Sequence, residues 1–279
     1  MEDPFDARIE NGRLHGRGSY DMKGALAAAM FAVADITALG LAGDVILTAV
    51  ADEEVASLGT ESVLGQVVAE AAIVCEPTEL QVAIAHRGFA GFEIETRGVA
   101  AHGSRPDLGV DAIAKMGPVL VALEQLDGRL QAGRRHPLVG TGSLHASLIE
   151  GGQEFSSYPE RCLLTGERRT LPGERAADIE ADLRSAADGA EVRLLFSREP
   201  FEIDREHEHV RSVSTAAGVS GVIGLPFWTD AALVAAAGIP TVLFGPAGEG
   251  AHAAMEWVDV SSLERCREVY VAAAKALCR

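Results

Sequence analysis

The feature that most constrains the fold of this chain is a set of acidic and histidine residues that each follow an apolar or glycine-rich run. These residues are Asp21, Glu53, Glu54, Glu76 and His252. Three of the preceding runs have the composition of short buried β-strands: residues 44–51 (DVILTAVA), 71–75 (AAIVC) and 240–244 (PTVLF). Side chains that follow parallel strands share one edge of a sheet, which is where α/β sheets bind ligands. Convergent carboxylates and a histidine at that edge predict a divalent metal site.

Composition excludes several classes of protein. The chain has 279 residues, a hydrophobic content of 48% and a net charge of −17, so it can bury a large core but repels nucleic acid and anionic membrane surfaces. The apolar run that begins at Gly24 stops at Asp35, short of the ~20 residues that span a bilayer. The cysteines are scattered and predict neither disulfides nor a cysteine zinc site, which favours a reducing cytoplasm: Cys75, Cys162, Cys266 and Cys278.

The order of helix and strand patterns predicts two domains. A helix over residues 22–39, a strand, a short helix and a second strand alternate up to about residue 80, which indicates a parallel sheet. After His86 the pattern is of an α+β insert, with strands at 89–96, 143–149 and 161–165 and helices at 110–126 and 174–187. The first pattern then returns, with a helix at 230–237, a strand at 240–244 and a helix at 261–277.

Each candidate ligand also has an ordinary structural explanation. Asp21, at the start of a helix, can simply cap it, and Glu53 and Glu54 can be solvated loop residues. Glu76 can end a strand in a turn, and His252 can lie in a surface loop. A single metal site accounts for all of these residues at once, whereas the ordinary explanations require a separate reason for each. In such a site one glutamate of the pair binds metal and the other transfers protons.

Six motifs carry a resemblance to a known family. They are GRGSYDMKG (16–24), ADEE (51–54), CEPT (75–78), GVAAHGSRP (98–106), ERRTLPGE (167–174) and FGPAGEGAH (244–252). In this order they resemble the zinc-dependent aminoacylase and carboxypeptidase family, which includes acetylornithine deacetylase, succinyl-diaminopimelate desuccinylase and carboxypeptidase G. The resemblance implies an α/β catalytic domain with a mostly parallel sheet flanked by helices, at residues 1–86 and 198–279. It also implies an inserted α+β lid and dimerisation domain at residues 87–197.

The resemblance assigns the metal ligands and the catalytic residues. Asp21 would bridge two zinc ions, Glu54 and His252 would complete one of them, and Glu76 would bind the other. Two Zn²⁺ per subunit are expected in the complete protein, with Co²⁺ or Mn²⁺ as substitutes. Glu53 would be the general base for a metal-activated water. His102 would stabilise the oxyanion from the partner subunit of a homodimer.

The resemblance also suggests substrate contacts. Arg169 would hold the substrate carboxylate, Gly245 would lie against the substrate, and Ser157 stands where the family commonly has an asparagine two residues before a proline. The neighbouring Arg168 is expected to be solvated. The remaining histidines match no motif and are expected to be exposed or satisfied structurally: His15, His86, His136, His145, His207 and His209.

The family's first motif, His-x-Asp, would stand upstream of Asp3, and its histidine would be a ligand of the metal that Glu76 binds. A misassigned start, a shortened chain or a degenerate paralogue each accounts for a sequence that begins after it. The function predicted is a cytoplasmic, homodimeric metal-dependent hydrolase that cleaves the amide bond of an N-acyl amino acid, with no nucleic-acid or membrane partner. The alternatives are a dipeptidase or carboxypeptidase acting on a short peptide, and a non-catalytic homodimeric homologue.

Overall fold

The computed structural model describes residues 3–278, which divide into two compact units. The first unit holds residues up to 85 together with 201–225 and those from 229 onward, and the second holds 86–200 and 226–228. Unit 1 is therefore discontinuous in sequence, and unit 2 is almost entirely one continuous stretch. The roles of catalytic domain and lid, which the sequence assigns to these two parts, stay predictions.

The helices of the described residues are α1 (Gly24–Thr37), α2 (Leu58–Leu64), α3 (Ala112–Ala132), α4 (Ala176–Ala186), α5 (Glu208–Ala217), α6 (Ala231–Ala236) and α7 (Val260–Leu277). The strands are β1 (Ile9–Glu10), β2 (Arg13–His15), β3 (Ala72–Val74), β4 (Ala83–His86), β5 (Gly88–Arg97), β6 (Ala101–His102), β7 (Arg135–His136), β8 (Gly140–Thr141), β9 (Ser143–Gly151), β10 (Ser157–Tyr158), β11 (Arg161–Thr170), β12 (Glu191–Arg198), β13 (Phe201–Glu202), β14 (Ile223–Leu225), β15 (Thr241–Leu243), β16 (Gly248–Glu249) and β17 (Trp257–Asp259).

In unit 1, helices α1 and α7 pack on each other through small side chains. Helix α1 buries a face made almost entirely of alanine, namely Ala25, Ala28, Ala29 and Ala32. Helix α7 buries Cys266, Val269, Tyr270 and Ala273, which recur at the three- and four-residue spacing of one helix face. The alanines allow the two helices to approach closely, and α1 is immediately preceded by a π-helical turn, Ser19–Lys23, that carries Asp21.

Two sheets of unit 1 deliver the loops of interest. The larger sheet has the order β13-β4-β15-β3, with β14 paired to β4, and the smaller has the order β1-β2-β17-β16. Strands β3 and β15 run parallel, whereas β15 and β4 run antiparallel. The eight residues 75–82 between β3 and β4 are too few for a crossover helix, so β4 runs in the opposite direction. The predicted α/β class is confirmed, and within it this sheet is mixed.

Unit 2 is an antiparallel sheet covered by helices. The order is β12-β5-β11-β9, and the ten residue pairs between β5 and β11 run from Gly88–Thr170 to Arg97–Arg161. Asp111 caps the start of α3, where its side chain accepts a hydrogen bond from the backbone N–H of Ala114 at 2.9 Å. Its buried face packs with α4 and the sheet into one core: Met116, Val119, Leu123 and Leu126 from α3, with Phe92, Ile94, Leu164 and Leu183.

Most predicted elements are present with shifted ends, and one is missing. Helix α3 continues to Ala132 where the pattern predicted an end at 126, and β11 continues to Thr170 where a strand was predicted only to 165. The strand predicted over residues 44–51 is wrong. No strand pairs with that segment among residues 3–278, and the side chain of Ile46 is 55% exposed. A β-strand needs a hydrogen-bonded neighbour, which composition alone does not supply.

Within residues 3–278, no helix combines the length and the apolar character needed to cross a bilayer.

Candidate metal centre

Three side chains of unit 1 come together as a possible metal site. His252 Nε2 lies 3.3 Å from an Asp21 oxygen and 3.0 Å from a Glu54 oxygen, and one ligand atom of each residue lies within 4.8 Å of the others. The side chains are 22%, 57% and 69% exposed for Asp21, Glu54 and His252 respectively. Three predicted ligands from distant parts of the sequence therefore meet at a surface that solvent can reach.

Each of the three residues stands on an irregular segment at the end of a regular element. Asp21 lies in the turn before α1, Glu54 in the loop before α2, and His252 in the loop between β16 and β17. Asp21 does not cap a helix: α1 has Lys23 at its cap position, and no side chain caps it. The ordinary explanation of Asp21 as a helix cap is therefore wrong. His252 has a φ of 60°, in the left-handed region that few non-glycine residues adopt.

Glu53 differs from its neighbour Glu54 in environment. Burial, followed by the negative charges of Asp230, Glu54 and Asp21, raises the pKa of Glu53 to about 7, while the charge of His252 opposes this shift. A carboxyl group with a pKa near neutrality exchanges a proton readily at physiological pH. This is the property required of a general base or acid.

Glu76 lies deeper than the three grouped residues. Its side chain is buried, and burial, followed by the charges of Glu53 and Asp21, raises its pKa well above the usual range. It lies two residues after the end of β3, but it does not belong to the group whose ligand atoms lie within 4.8 Å of one another. The structure thus gathers the predicted ligands of one metal and places Glu76 near them as a buried, charge-coupled carboxyl group.

Sequence reasoning missed Asp230, which lies at the start of α6. It is buried, its Oδ2 accepts a hydrogen bond from Thr60 at 2.5 Å, and its charge raises the pKa of both Glu53 and Glu76. The available signal was the pair Thr229-Asp230 before an alanine-rich helix, which resembles an ordinary helix start. Because Thr60 belongs to α2, this hydrogen bond joins the segment after the Glu53-Glu54 loop to α6.

Gly245 has a clear structural role at the end of β15. Its backbone N–H donates to Thr78 Oγ1 at 3.0 Å, and a Cβ at this position would lie 2.1 Å from the carbonyl oxygen of Glu76. Only glycine allows the two strand ends to approach this closely. Its predicted contact with substrate stays a prediction.

The remaining predicted residues lie in unit 2. His102, in β6, is paired with Ser157 in β10, and its Nδ1 lies 2.8 Å from Ser104 Oγ. The Ser157 hydroxyl donates to Glu154. Arg169, in β11, donates from Nε to Glu167 at 2.5 Å and lies 5.0 Å from the centre of the Phe89 ring. The roles of all three stay predictions.

Two further expectations concern Arg168 and the histidines that match no motif. Arg168 was expected to be solvated, and this is wrong: it is 1% exposed and donates to Glu174 at 2.8 Å. Its buried guanidinium needs such a partner because an unpaired buried charge is costly. Several histidines without motifs have structural contacts, as expected. His209 is buried with Nε2 2.7 Å from the Ala72 carbonyl oxygen, and His207 accepts a hydrogen bond from the His209 backbone at the start of α5.

Comparison with known proteins establishes the family. The sequence profile of peptidase family M20/M25/M40 matches residues 1–276. The chain belongs to this family. Its members are metal-dependent hydrolases, so the predictions of the family and of hydrolase activity are confirmed, and the metal-ligand group in unit 1 agrees with them.

Relatives of the M20 chain include deacetylases. It is 32% identical to acetylornithine deacetylase of Myxococcus xanthus over 96% of this chain and 74% of that protein. It is 28% identical to acetylornithine deacetylase of Proteus mirabilis over 96% of this chain and 72% of that protein.

Solved structures of M20 peptidases share the fold. Aminopeptidase PepT from Bacillus cereus superposes with a TM-score of 0.77 at 19% identity, covering 98% of this chain and 76% of that one. A metallo-carboxypeptidase of the M20 family from Sulfolobus solfataricus superposes with a TM-score of 0.69 at 17% identity, covering 98% and 79%. At these identities the likeness establishes the fold alone.

Proposed function

We propose that this M20 chain is a zinc-dependent amidohydrolase that cleaves the amide bond of N-acyl amino acids. The observation that carries the proposal is the grouping of Asp21, Glu54 and His252 beside a glutamate, Glu53, whose pKa is raised to about 7. The identity of 32% with an acetylornithine deacetylase supports an N-acyl amino acid as the substrate class.

The donor set fits zinc. Two carboxylates and one imidazole nitrogen are ligand types found in catalytic zinc sites, which use three protein ligands and leave one position open. Asp21, Glu54 and His252 would hold the ion, and Glu76 with Asp21 would contribute to a second one. When bound, zinc lowers the pKa of water to about 7 and polarises a carbonyl group.

The protein's own residues supply the proton transfers in this proposal. Glu53 accepts a proton from the attacking water and gives it to the nitrogen of the leaving amine. In the metal-free protein, burial and the neighbouring carboxylates raise its pKa, which makes Glu53 a stronger base than an exposed glutamate. Asp230 supports this role because its negative charge disfavours the ionised form of Glu53.

Four residues would supply the substrate contacts. We propose that Arg169 binds the substrate carboxylate, that His102 donates to the oxyanion, and that Ser157 and Gly245 contact the substrate. Arg87 supports an anion site near Arg169, since burial and, second, the charge of Arg169 lower the pKa of Arg87. A bound carboxylate would relieve this repulsion between two guanidinium groups.

The proposal includes a homodimer and a cytoplasmic location. The outer edge of the unit 2 sheet supports the dimer: β9 ends that sheet, and Leu148 and Ile149 on it are 64% and 52% exposed. All four cysteines are free, which supports a reducing compartment.

The test is a hydrolysis screen of the zinc-loaded protein over N-acetyl amino acids, N-succinyl amino acids and dipeptides, with release of free amine as the readout. We expect N-acetyl amino acids such as N-acetylornithine to be hydrolysed, and the activity to disappear on chelation. Hydrolysis of peptides alone would favour a dipeptidase or carboxypeptidase. A protein that binds zinc and hydrolyses none of them would be a non-catalytic homologue.

A further inference from the structure

A buried glutamate outside every motif contacts the turn that carries Asp21. Glu256, in the loop before β17, is 1% exposed. One carboxylate oxygen accepts hydrogen bonds from the backbone N–H groups of Tyr20 and Asp21, both at 3.0 Å. The other accepts from the Gly18 backbone at 2.8 Å and from Arg17 Nη1 at 3.0 Å. Four donors from one short turn thus converge on a single carboxylate.

This arrangement restricts the turn to one conformation. A buried carboxylate is costly unless hydrogen bonds and a countercharge compensate it, and here all the compensation comes from residues 17–21. The backbone must therefore direct three N–H groups to one point, which Gly18 assists with a φ of 77° in the left-handed region. The backbone of Asp21 is fixed directly, because its own N–H group is one of the donors.

The same contacts bind this turn to the loop of His252. Glu256 and His252 belong to one loop, residues 250–256 between β16 and β17. Arg17 spans the two segments, since its guanidinium donates both to Glu256 and to the carbonyl oxygen of Ala253, the residue after His252. The backbone N–H of Gly16 also donates to the Glu256 carbonyl oxygen at 3.3 Å. Two of the three grouped ligands thus stand on segments that Glu256 and Arg17 connect.

We propose that Glu256 is a positioning residue of the metal centre, which holds Asp21 at the distance from His252 that a shared metal ion requires. The proposal rests on the proposed function, because it takes Asp21, Glu54 and His252 as metal ligands. Groups that orient metal ligands without touching the metal typically change metal affinity by about 10- to 100-fold when they are removed. Glu256 acts through the backbone of a ligand residue, and nothing in its sequence context indicates this role.

The test substitutes Glu256→Gln and measures metal binding. The glutamine keeps one oxygen acceptor but turns an NH₂ group toward donors that now lack an acceptor, so the turn should loosen without a change in side-chain size. We expect the zinc affinity to fall by about 10- to 100-fold and the visible absorption of the Co²⁺-loaded protein to change. Glu249→Gln is the matched control, since Glu249 is exposed in the adjacent β16 and its substitution removes the same charge. The control should retain wild-type affinity and the wild-type spectrum.

A folded Glu256→Gln protein with wild-type affinity and an unchanged Co²⁺ spectrum would overturn the proposal. If Glu256→Gln does not fold, Arg17→Met tests the same connection, because it leaves the backbone bonds of Glu256 intact and removes the link to Ala253. Its metal affinity should fall, and wild-type affinity would count against the proposal.

Amide hydrogen exchange separates this proposal from the proposed function. In the metal-free protein, Glu256→Gln should accelerate exchange at Gly18, Tyr20 and Asp21, whereas Glu249→Gln should not. If the wild-type protein binds no zinc, the proposed function fails. Accelerated exchange in Glu256→Gln would still show that Glu256 fixes the conformation of the turn. If the wild type binds zinc and exchange is unchanged in Glu256→Gln, the positioning role alone fails.

Discussion

At the residue scale, the two adjacent glutamates of unit 1 show how one short loop produces two different chemical groups. Glu54 is 57% exposed and lies 3.0 Å from His252 Nε2, whereas Glu53 is partly buried among other carboxyl groups and has a raised pKa. The two residues lie in one turn, where Glu54 reaches the grouped ligands and Glu53 lies near the buried carboxyl groups. The environment therefore supports a division between metal binding and proton transfer.

The first prediction tests this division. Glu53→Gln should abolish hydrolysis while zinc content remains near that of the wild type, because Glu53 is not one of the grouped ligands. Glu54→Gln should instead lower zinc content, since an amide is a weaker ligand than a carboxylate. Metal analysis after dialysis and the initial rate on N-acetylornithine measure the two effects. Equal loss of metal from both variants would show that the roles are not divided.

The second prediction concerns stability and pH in the metal-free protein. Burial raises the pKa of Asp21, Glu53 and Glu76, so the folded protein retains protons that the unfolded chain releases. For such groups the stabilisation is complete below the unfolded pKa and is lost as the pH rises through the folded pKa, which is about 7 for Glu53. The free energy of unfolding should therefore decrease between about pH 5 and about pH 8.

Urea unfolding in the presence of a chelator measures this dependence. Glu53→Gln should make it shallower, because one of the titrating groups is removed. Saturating zinc should stabilise the protein most at the upper end of the range, where its carboxylate ligands are ionised. A metal-free protein whose free energy of unfolding rises steadily from pH 5 to pH 8 would contradict the raised pKa values.

The residues of the site were predictable to the extent that motifs mark them. Asp21, Glu54 and His252 were found because each follows a run with a strong local pattern, and the structure brings them together. Asp230 and Glu256 were missed because their contacts are with residues 170 and more than 230 positions away, and neither has a local signal. A buried acid is recognised by its partners, which a single sequence does not reveal.

At the scale of elements, the side chain of Asp259 caps the start of α7 and stabilises this helix. Asp259 accepts a hydrogen bond from the Ser262 backbone at 2.9 Å, and hydrogen bonds from Ser261 and Ser262 lower the pKa of its carboxyl group. Asp259→Ala should cost about 1 kcal/mol of unfolding free energy, the usual value of a lost helix cap. Urea unfolding at neutral pH measures this loss.

Glu264→Ala is the control for this substitution. Glu264 is exposed in the second turn of α7, so its replacement removes a charge from the same helix without removing the cap. Its effect should be within about 0.5 kcal/mol of zero. The stabilisation by Asp259 should also decline in acid, since a carboxyl group with a lowered pKa loses its contribution as it becomes protonated. Equal effects of the two substitutions would argue against a capping role.

The sequence predicted an element well where its apolar pattern was long and periodic. It predicted an element poorly where formation depends on pairing with another strand. Helix α7 was predicted to within one residue at its start, because its apolar spacing continues over five turns. Residues 44–51 have a typical strand composition but form no strand, since no described segment pairs with them. Local preference defines what a segment can become, and the neighbouring chain determines whether it does so.

At the scale of the whole molecule, the proposed homodimer allows a complementation experiment. If His102 acts in the site of the partner subunit, His102→Ala and Glu53→Gln proteins are each inactive, but a heterodimer contains one site with both residues intact. Mixing the two proteins under conditions of subunit exchange should restore part of the activity, at most about a quarter of the wild-type rate for random exchange among equal amounts. Mass spectrometry establishes the exchange. No recovery after demonstrated exchange would mean that His102 acts within its own chain or has no catalytic role.

The discontinuity of unit 1 has a consequence for biosynthesis. Asp21 and Glu54 precede unit 2 in the chain, whereas His252 and helix α7 follow it and are made after the whole of unit 2. Unit 2, which is almost one continuous stretch, can fold while translation proceeds, but unit 1 must wait for α7 to cover the alanine face of α1. A nascent chain therefore completes the group of Asp21, Glu54 and His252 only after unit 2 has been made, and a chain that stops before residue 252 would lack the histidine of the group.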